Sequence, residues 1–558
     1  KSKALRLAQT QSMGTLRPCK EESKNWNTTQ NLYIEGDNLE VLKLLQKSYH
    51  GKVKMIYIDP PYNTGKDFVY PDDYRDPLKN YLAMTEQVDD EGKKISTNSE
   101  ASGRFHTNWL NMMYPRLRLA RNILNNTGVI FISIDDNEVD NLKKICNEIF
   151  GEDNFIAKIV HKNNSMKNQS KYIGVSTEYI LIYTKDFISL KSMQSQWRSK
   201  KKGASDINAL FEKLKNQGLS YDEIRSEILD MYGRPKYAHL SRWNKVDEFG
   251  VFKDQDLSRD GGPKDYTIIN PMSGIPCVIP NRGWGKSYEE LLRLQSKNLI
   301  WYGDENTPPG MKTYLSDDSE SVPDNFIFTD TAIDKKKIDE MFGAKIFEFP
   351  KSLELMIYLV QICSEKNSIV MDFFSGSATT AEAIMQLNSE DNGSRKFIMV
   401  QLPEPTDEKS EAYKAGYKNI CEIGKERIRR AGEKIKAELQ TQQTNQPSML
   451  EDNQLVHPDD LDIGFKVFKL DTSNLKKWNP DVDNLEESLL DAIENYVDGR
   501  SDLDVVYEIM LKYGMDLTLP LEEYEVGGKK IYSIGYGTLM ICLDHEITTE
   551  VANEIVRL

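Results

Sequence analysis

A carboxylate, two prolines and an aromatic ring stand together at Asp59-Pro60-Pro61-Tyr62, directly after the apolar run Val53–Ile58. The run predicts a buried strand of a parallel sheet, and the prolines end it because proline cannot continue the hydrogen-bonded ladder. Ligands of open α/β sheets lie at the carboxyl ends of the strands. We therefore expect these four residues to line a substrate site.

These residue types suit the activation of an exocyclic amine on a nucleobase. Such an amine is a weak nucleophile because its lone pair is delocalised into the ring. Asp59 and the carbonyl of Pro60 can each accept one amine hydrogen, which frees the lone pair. Tyr62 can stack on the base, a contact worth roughly 1–3 kcal/mol. The alternative is a structural turn in which Asp59 caps a following helix.

A second candidate site lies far downstream. Residues 369–371 predict an apolar strand that runs into Asp372, and the small-residue turn Ser375-Gly376-Ser377-Ala378 leads into a predicted helix over 379–387. Small residues let the backbone approach a ligand, and the free N–H groups of a helix start favour an anionic group such as a carboxylate. The segment therefore predicts a ligand-binding turn.

The two segments resemble motifs of the amino-methyltransferases that act on adenine N6. The tetrapeptide resembles their motif IV, and 372–378 resembles motif I, usually Asp-x-Phe-x-Gly-[Ser/Thr]-Gly, with Ala378 in place of the last glycine. The resemblance implies S-adenosyl-L-methionine as the cofactor. It assigns catalysis to Asp59, Pro60, Pro61 and Tyr62, and cofactor binding to Asp372, Phe373, Phe374, Ser375, Gly376 and Ser377.

Two further segments resemble motifs that hold this cofactor. Lys351 lies in a segment that resembles motif X, which closes over the methionine end. The predicted strand 396–400 resembles motif II and leads into Gln401, where the family usually has an acid for the ribose hydroxyls. Glu404, three residues on, is the alternative ribose ligand.

Near the N-terminus, residues 34–39 resemble motif III, which implies that Asp37 lies near the adenine of the cofactor. Asp37 could equally be the N-cap of a predicted helix over 39–46. Trp109, in a predicted helix that leads into strand 129–134, has the same two readings, because it could be a motif V contact or a core residue.

The catalytic motif precedes the cofactor motif, which resembles the permuted β class of these enzymes and, within it, the Mod subunits of type III restriction–modification systems. The segments that carry this resemblance are 36–45, 57–65, 105–117, 129–138 and 463–471. It implies a doubly wound, permuted α/β methyltransferase fold, methylation of adenine N6 after base flipping, and double-stranded DNA as substrate. It also implies a homodimer and a helicase–nuclease (Res) partner.

The predicted organisation has four parts. Residues 1–185 hold the N-terminal arm and the catalytic half of the methyltransferase domain, including a polar stretch, 81–104, that predicts a long loop. Residues 186–325 form an insert where the family keeps its target-recognition domain. Residues 326–440 complete the sheet with the cofactor-binding half. After a polar linker over 441–447, the remainder predicts a small α+β domain with a helix over 485–496.

The insert is the predicted DNA-reading part, because it interleaves aromatic and basic residues. It carries four of the seven tryptophans and the basic run 198–202. For any one of these residues, a surface or core position is the alternative. The candidate DNA contacts are Arg198, Lys201, Arg282, Trp284, Lys286 and Lys312.

Composition limits the other classes. The net charge of −15 arises in residues 441–558, which carry 24 acidic and 9 basic residues. The rest of the chain is therefore neutral on balance, and DNA binding would use local basic patches. Six scattered cysteines and six dispersed histidines show no metal-ligand spacing, so we expect no metal. Since no apolar run is long enough to span a membrane and no signal peptide is visible, we expect a cytoplasmic protein.

Other functions stay open on the sequence alone. One is an enzyme for a different amine, namely cytosine N4, an RNA adenine or a protein glutamine. The related cytosine enzymes usually carry serine at the position of Asp59 and the glutamine enzymes asparagine. Another is a DNA-recognition subunit without turnover. An orphan methyltransferase with no restriction partner is also consistent with the motifs.

Overall fold

The computed structural model describes residues 2–65, 105–163, 172–193, 197–234, 236–304, 306–347, 350–445, 456–476 and 496–558. The chain divides into two compact units: the first joins Lys1–Ser195 to Asp324–Leu558, and the second is Gln196–Pro323. The predicted loop 81–104 and all but the last residue of the predicted helix 485–496 lie outside the described residues.

Both units contain strands, and in the first unit many of them alternate with helices. In chain order the strands are β1 (Gly14–Pro18), β2 (Leu32–Glu35), β3 (Val53–Ile58), β4 (Leu124–Ile134), β5 (Phe155–Asn163), β6 (Thr177–Thr184), β7 (Ser199–Lys200), β8 (Lys245–Asp247), β9 (Gly250–Asp256), β10 (Ile300–Trp301), β11 (Gly310–Tyr314), β12 (Glu320–Ser321), β13 (Phe326–Thr329), β14 (Ile369–Asp372), β15 (Lys396–Gln401), β16 (Lys466–Thr472), β17 (Leu521–Val526), β18 (Lys529–Ile534) and β19 (Leu539–Ile541).

The helices are α1 (Ser2–Gln9), α2 (Asn38–Tyr49), α3 (Phe105–Ile123), α4 (Val139–Phe150), α5 (Phe187–Ser192), α6 (Ala204–Asn216), α7 (Tyr221–Tyr232), α8 (Tyr288–Ser296), α9 (Thr331–Phe342), α10 (Leu353–Cys363), α11 (Thr379–Asp391), α12 (Glu411–Lys414), α13 (Ile420–Asn445), α14 (Asp502–Tyr513) and α15 (Thr549–Arg557). The predicted strand Val53–Ile58 is confirmed to the residue.

A large mixed sheet forms the core of the first unit, in the order β1-β16-β2-β15-β14-β3-β4-β6-β5-β13. The central strands β16, β2, β15, β14, β3 and β4 run parallel to one another. Strand β6 pairs with β4 in the antiparallel direction. Every residue of β2 and β3 is buried, as expected of strands covered on both faces. The carboxyl ends of β2, β15, β14 and β3 therefore meet at one edge of the sheet.

The C-terminal segment is part of this first unit, which corrects the expectation of a separate small domain after residue 441. Strand β16 lies in the main sheet between β1 and β2. The short sheet β17-β18-β19 follows later in the chain, and the Tyr49 hydroxyl of α2 donates a hydrogen bond to Asp516 at 2.8 Å. Linear composition could not reveal this, because it does not show that the strand Lys466–Thr472 pairs with β1 and β2 in the main sheet.

The predicted polar linker is also partly wrong. Helix α13 continues through its first residues to Asn445. The Gln443 side-chain amide donates a hydrogen bond to the backbone carbonyl of Val456 at 3.3 Å. Glutamine is a good helix former, so a polar stretch without glycine or proline continues a helix already nucleated upstream.

The second unit has its own core. A four-stranded antiparallel sheet, β10-β11-β9-β8, is accompanied by α6 and α7, whose apolar faces form one cluster with Trp243. A second cluster surrounds Trp284 and Leu291 of α8. Among the described helices of both units, none is long and apolar enough to cross a membrane.

Candidate active site

Asp59 follows the last residue of β3 at the edge where the parallel strands end. Its carboxylate forms an ion pair with Lys351, whose Nζ lies 3.1 Å from Oδ1. This contact lacks hydrogen-bond geometry, and Oδ1 is a buried oxygen without a hydrogen-bond partner in the described part of the chain. A buried acceptor that the protein leaves unsatisfied is costly and is expected where a ligand supplies the donor.

Tyr62 shares the same lysine. The Lys351 ammonium donates to the Tyr62 hydroxyl at 2.6 Å and lies 5.0 Å from the centroid of its ring. The Tyr62 hydroxyl in turn donates to Oε2 of Glu178 at 2.8 Å. The ring is thus held in one orientation beside Asp59, as a stacking surface for a base requires.

Glu178 of β6 is a second carboxylate in this cluster, which the sequence did not single out as a site residue. Its Oε2 accepts a hydrogen bond from Lys351 at 2.9 Å, and its Oε1 lies 2.7 Å from Nδ1 of His161. The other ring nitrogen of His161 lies 2.7 Å from the hydroxyl of Thr329. Strands β6, β5 and β13 are neighbours, so His161 of β5 and Thr329 of β13 hold Glu178 of β6 in place.

The charges of this cluster are strongly coupled. Burial raises the pKa of Asp59 above its usual value, while the Lys351 ammonium works against that rise. Although burial opposes it, the Lys351 ammonium holds the pKa of Glu178 well below its usual range, with help from His161. Burial would lower the pKa of Lys351, but Asp59 and Glu178 raise it. Lys351 therefore stays protonated and favours the ionised form of both carboxylates.

The turn after Asp59 is fixed by two contacts. The indole Nε1 of the buried Trp109 donates to the carbonyl of Pro61 at 2.7 Å. Asn63 adopts a left-handed backbone with φ 61, and its side-chain amide donates to Glu138 at 2.6 Å. Trp109 is thus a core residue that also positions the tetrapeptide, and a motif V contact with the cofactor or the base stays a prediction.

Asp372 ends the adjacent strand β14. Its two carboxylate oxygens accept hydrogen bonds from the backbone N–H of Phe374 at 3.1 Å and from the hydroxyl of Thr380 at 2.6 Å. Burial raises its pKa to about 7, and the nearby charge of Asp59 adds to the rise. Asp372 therefore braces the turn and is poised to ionise when a cation lies nearby.

The predicted ligand turn is present and is built from the expected small residues. Gly376 has φ +50, and a Cβ there would meet only Phe347, at 3.8 Å. Ala378 takes the left-handed conformation, φ 59 and ψ 38, that the family glycine would adopt without strain. The hydroxyl oxygen of Ser375 is buried and lacks a hydrogen-bond partner among the described residues. The turn thus presents a polar atom that a ligand can satisfy.

Other predicted cofactor residues have structural roles in this turn. Oε1 of Gln401 accepts a hydrogen bond from the N–H of Gly376 at 2.7 Å, and its amide donates to the carbonyl of Leu402 at 3.2 Å. Phe373 and Phe374 are buried, with ring centroids 5.5 Å apart. The Phe373 carbonyl accepts from Asn38 at 2.6 Å. These residues join β14, β15 and α2 into one support.

Two charged side chains that the sequence did not emphasise complete the support. Buried Arg427 donates to the hydroxyls of Ser377 at 2.9 Å and Thr379 at 2.6 Å. Buried Arg116 donates to Asp37 at 3.0 Å. Asp37 also accepts from the backbone N–H groups of Leu39 and Glu40, so the predicted N-cap of α2 is confirmed. A role of Asp37 toward the cofactor stays a prediction.

The predicted DNA contacts of the second unit differ in exposure. Trp284 is only 1% exposed, and its indole donates to the carbonyl of Tyr266, so it is a core residue and its prediction as a DNA contact is wrong. Aromatic character at the surface and in the core looks the same in sequence. The Lys312 side chain is largely buried and pairs with Asp247 at 2.7 Å. Lys201 donates to the carbonyl of Glu320.

The remaining basic candidates lie at the surface. Arg282 is exposed and forms a two-pronged hydrogen bond with Asp260, at 2.6 and 3.0 Å. Arg198 is exposed, and Lys286 lies 3.6 Å from Glu290. Surface ion pairs of this kind contribute little to stability, so replacing them with phosphate contacts costs little free energy. In the described residues, no group of three or more His, Cys, Asp or Glu side chains could hold a metal ion.

Comparisons with known proteins identify the family of this chain. The family of DNA methylases that act on N6 or N4 amino groups matches residues 53–431. The Mod subunit of the type III restriction–modification enzyme EcoP15I from Escherichia coli is 34% identical, with 92% of this chain and 75% of that protein covered.

Two other Mod subunits are similar. That of EcoPI from Escherichia phage P1 is 36% identical over 73% of this chain and 62% of its own length. That of StyLTI from Salmonella typhimurium is 33% identical over 81% of this chain and 61% of its own length. The chain thus spans about three quarters of one relative and about three fifths of the other two.

The fold, the two strand-end sites and the family match define a DNA methyltransferase that uses S-adenosylmethionine. Within this class the chain belongs to the Mod subunits of type III restriction–modification enzymes. The predicted family, enzyme class and cofactor are thereby confirmed. Of the predicted doubly wound, permuted α/β fold, the structure confirms the α/β class and shows one large mixed sheet.

Proposed function

We propose that this protein transfers a methyl group to N6 of an adenine flipped out of duplex DNA, as the modification and recognition subunit of a type III system. The observation that carries the proposal is the buried Asp59 Oδ1 at the carboxyl end of β3, which is ion-paired with Lys351 but accepts no geometrically sound hydrogen bond from the described residues. An exocyclic amine supplies the missing donor. The Pro60 carbonyl accepts the second amine hydrogen, and Tyr62 stacks on the base.

The cofactor edge fits S-adenosylmethionine. The buried Asp372 and the half-buried Asp59 lie at the ends of adjacent strands, where two carboxylates favour a cationic ligand. The turn Ser375-Gly376-Ser377 offers a buried hydroxyl and a close backbone approach. The cofactor supplies an electrophilic methyl group on a sulfonium. Gln401, whose amide is engaged at both ends, and Glu404, which is half-buried just beyond β15, are the two proposed ligands of the ribose hydroxyls.

The roles of the chain's own residues follow from their contacts. Asp59 orients the amine and takes up the proton that the amine loses on methylation. Trp109 holds the Pro61 carbonyl and so keeps the tetrapeptide in register with the base. Glu138 accepts a hydrogen bond from Asn63, the residue after the tetrapeptide. Flipping the adenine costs a few kcal/mol, which stacking on Tyr62 and the hydrogen bonds at Asp59 offset.

The finer parts of the function rest on the likeness to the Mod subunits of type III enzymes. We propose that the second unit reads the DNA sequence through phosphate contacts of Arg198, Arg282 and Lys286. We further propose a homodimer and a Res helicase–nuclease partner. The strand of Asp59 precedes that of Asp372 in the chain, which supports the permuted arrangement.

Long-read modification mapping tests this function. DNA from cells that express the protein should carry N6-methyladenine at one short asymmetric sequence, on one strand only. Cells that express Asp59→Ala should show none, although the purified variant should still bind S-adenosylmethionine. Methylation on cytosine, or equal methylation by Asp59→Ala, would contradict the proposed substrate or mechanism. Unmodified DNA with methylated RNA would favour the RNA adenine alternative.

A further inference from the structure

The Lys351 ammonium contacts the group that the proposed function reserves for the adenine amine. It lies 3.1 Å from Oδ1 of Asp59, the acceptor meant for the amine, and it donates to the Tyr62 hydroxyl at the edge of the ring, at 2.6 Å. A flipped base cannot use Asp59 fully while the ammonium stays there. The lysine must therefore move away from Asp59 when the base binds.

A buried ammonium cannot simply leave, because an unpaired charge in the interior is costly. Glu178 offers the alternative position. Its Oε2 already accepts a hydrogen bond from Lys351 at 2.9 Å, on the side of the lysine that the base does not need. The fully buried His161 holds the other oxygen of Glu178, and Thr329 holds His161. This brace keeps the carboxylate in place whether or not Lys351 contacts Asp59.

We propose that Glu178 is a positioning residue that retains the Lys351 ammonium when the target adenine takes its place on Asp59. The inference rests on the proposed function and adds to it a device that clears the amine site. In the free enzyme the lysine is ion-paired with both Asp59 and Glu178, and in the complex with the base it keeps Glu178 and the Tyr62 hydroxyl.

The charges of the cluster make a test by paired variants decisive. The site holds two carboxylates against one ammonium. Glu178→Gln leaves Lys351 with Asp59 as its only ionic partner in the cluster, so the lysine competes more strongly with the adenine. Lys351→Met leaves two buried carboxylates without their cation. The double variant removes one charge of each sign, which restores the original net charge and leaves Asp59 open to the amine.

The experiment measures single-turnover methyl transfer to a duplex that carries the mapped target sequence, with DNA and S-adenosylmethionine saturating. We expect Glu178→Gln to slow transfer on the order of 10-fold to 100-fold, the scale of a misplaced reacting group. Its dissociation constants for DNA and cofactor should stay within about twofold of those of the parent enzyme, because neither ligand is held mainly by this residue. Adding Lys351→Met should make the double variant faster than Glu178→Gln alone.

A residue that merely supports the fold would not be rescued by removing its lysine. A double variant no faster than Glu178→Gln therefore overturns the inference, as does unchanged transfer in Glu178→Gln. Asp391→Asn is the matched control, because it breaks another ion pair of a buried cation, that of Arg395, away from the site. It should leave the transfer rate unchanged.

A second variant covers a Glu178→Gln protein that does not fold, as judged by its thermal melt. Thr329→Val keeps the side-chain shape but removes the hydroxyl that holds His161, so it should slow transfer in the same direction and to a smaller extent. Normal transfer in Thr329→Val would then overturn the inference. Absence of N6-methyladenine with the unmodified enzyme is a different result, because it contradicts the proposed function itself.

Discussion

Asp372→Asn removes a buried carboxylate that resists ionisation, and its effect on stability should depend on pH. In the folded protein the pKa of Asp372 is raised from 3.8 to about 7, first by burial and then by Asp59. The folded state therefore keeps a proton that the unfolded chain releases near its usual pKa. The free energy of unfolding falls as pH rises between these two values and is lowest, for this group, above about pH 7.

The magnitude follows from the size of the shift. A rise of about 3 pKa units corresponds to a penalty of about 4 kcal/mol above pH 7, at roughly 1.4 kcal/mol per unit. Asparagine escapes this penalty but offers one acceptor oxygen to two donors, the Thr380 hydroxyl and the Phe374 N–H, and that loss costs about 1–3 kcal/mol. The variant should gain about 2 kcal/mol at pH 8 and nothing, or a slight loss, at pH 5.

Thermal unfolding of the full chain at pH 5 and pH 8 measures the difference. Because the chain has two compact units, only the transition that S-adenosylmethionine raises in the parent protein is compared. Asp391→Asn, the ion-pair control, should lose stability at pH 8. A gain for Asp372→Asn that is equal at both pH values, or larger at pH 5, would refute the reasoning.

Three other changes should have definite outcomes. Lys351→Met should move the acid limb of the transfer rate to higher pH, because the ammonium opposes the raised pKa of Asp59; an unmoved limb in a pH series contradicts this. Ala378→Gly should stabilise the protein by up to about 1 kcal/mol in thermal melts, because the position is left-handed. Trp109→Phe should slow methyl transfer while calorimetry shows unchanged cofactor affinity, since the variant loses the donor to Pro61 and part of a buried ring but no group that we assign to the cofactor; weaker cofactor binding would argue against that role.

Local sequence patterns predicted the strand ends well. The strand Val53–Ile58 and the strand that ends at Asp372 were both predicted from apolar runs that stop at an acid. Such signals are local, because proline, glycine and β-branched residues act through their own backbone preferences. The capping role of Asp37 was open to the same reasoning, and the structure has it.

Residues that work through distant partners were beyond that reasoning. Glu178 and His161 lie in ordinary strand segments, and only the pairing of β5 with β6 and β13 brings them behind Lys351. Trp284 had the composition of a DNA contact, yet packing places it in a core. Gln401 had the position of a ribose ligand, yet it holds the N–H of Gly376. Each outcome depends on neighbours far away in the chain.

By itself the sequence was enough to predict a tetrapeptide that orients an amine and a small-residue turn for the cofactor, and the order of the two indicated the Mod family to which the chain belongs. Only the tertiary structure decided how those parts are charged and held. The electrostatics of Asp59 depend on Lys351 and Glu178, which lie far from it in the chain and meet at one edge of the sheet. Burial and charge coupling exist only after the strands pair, so no linear pattern carries them.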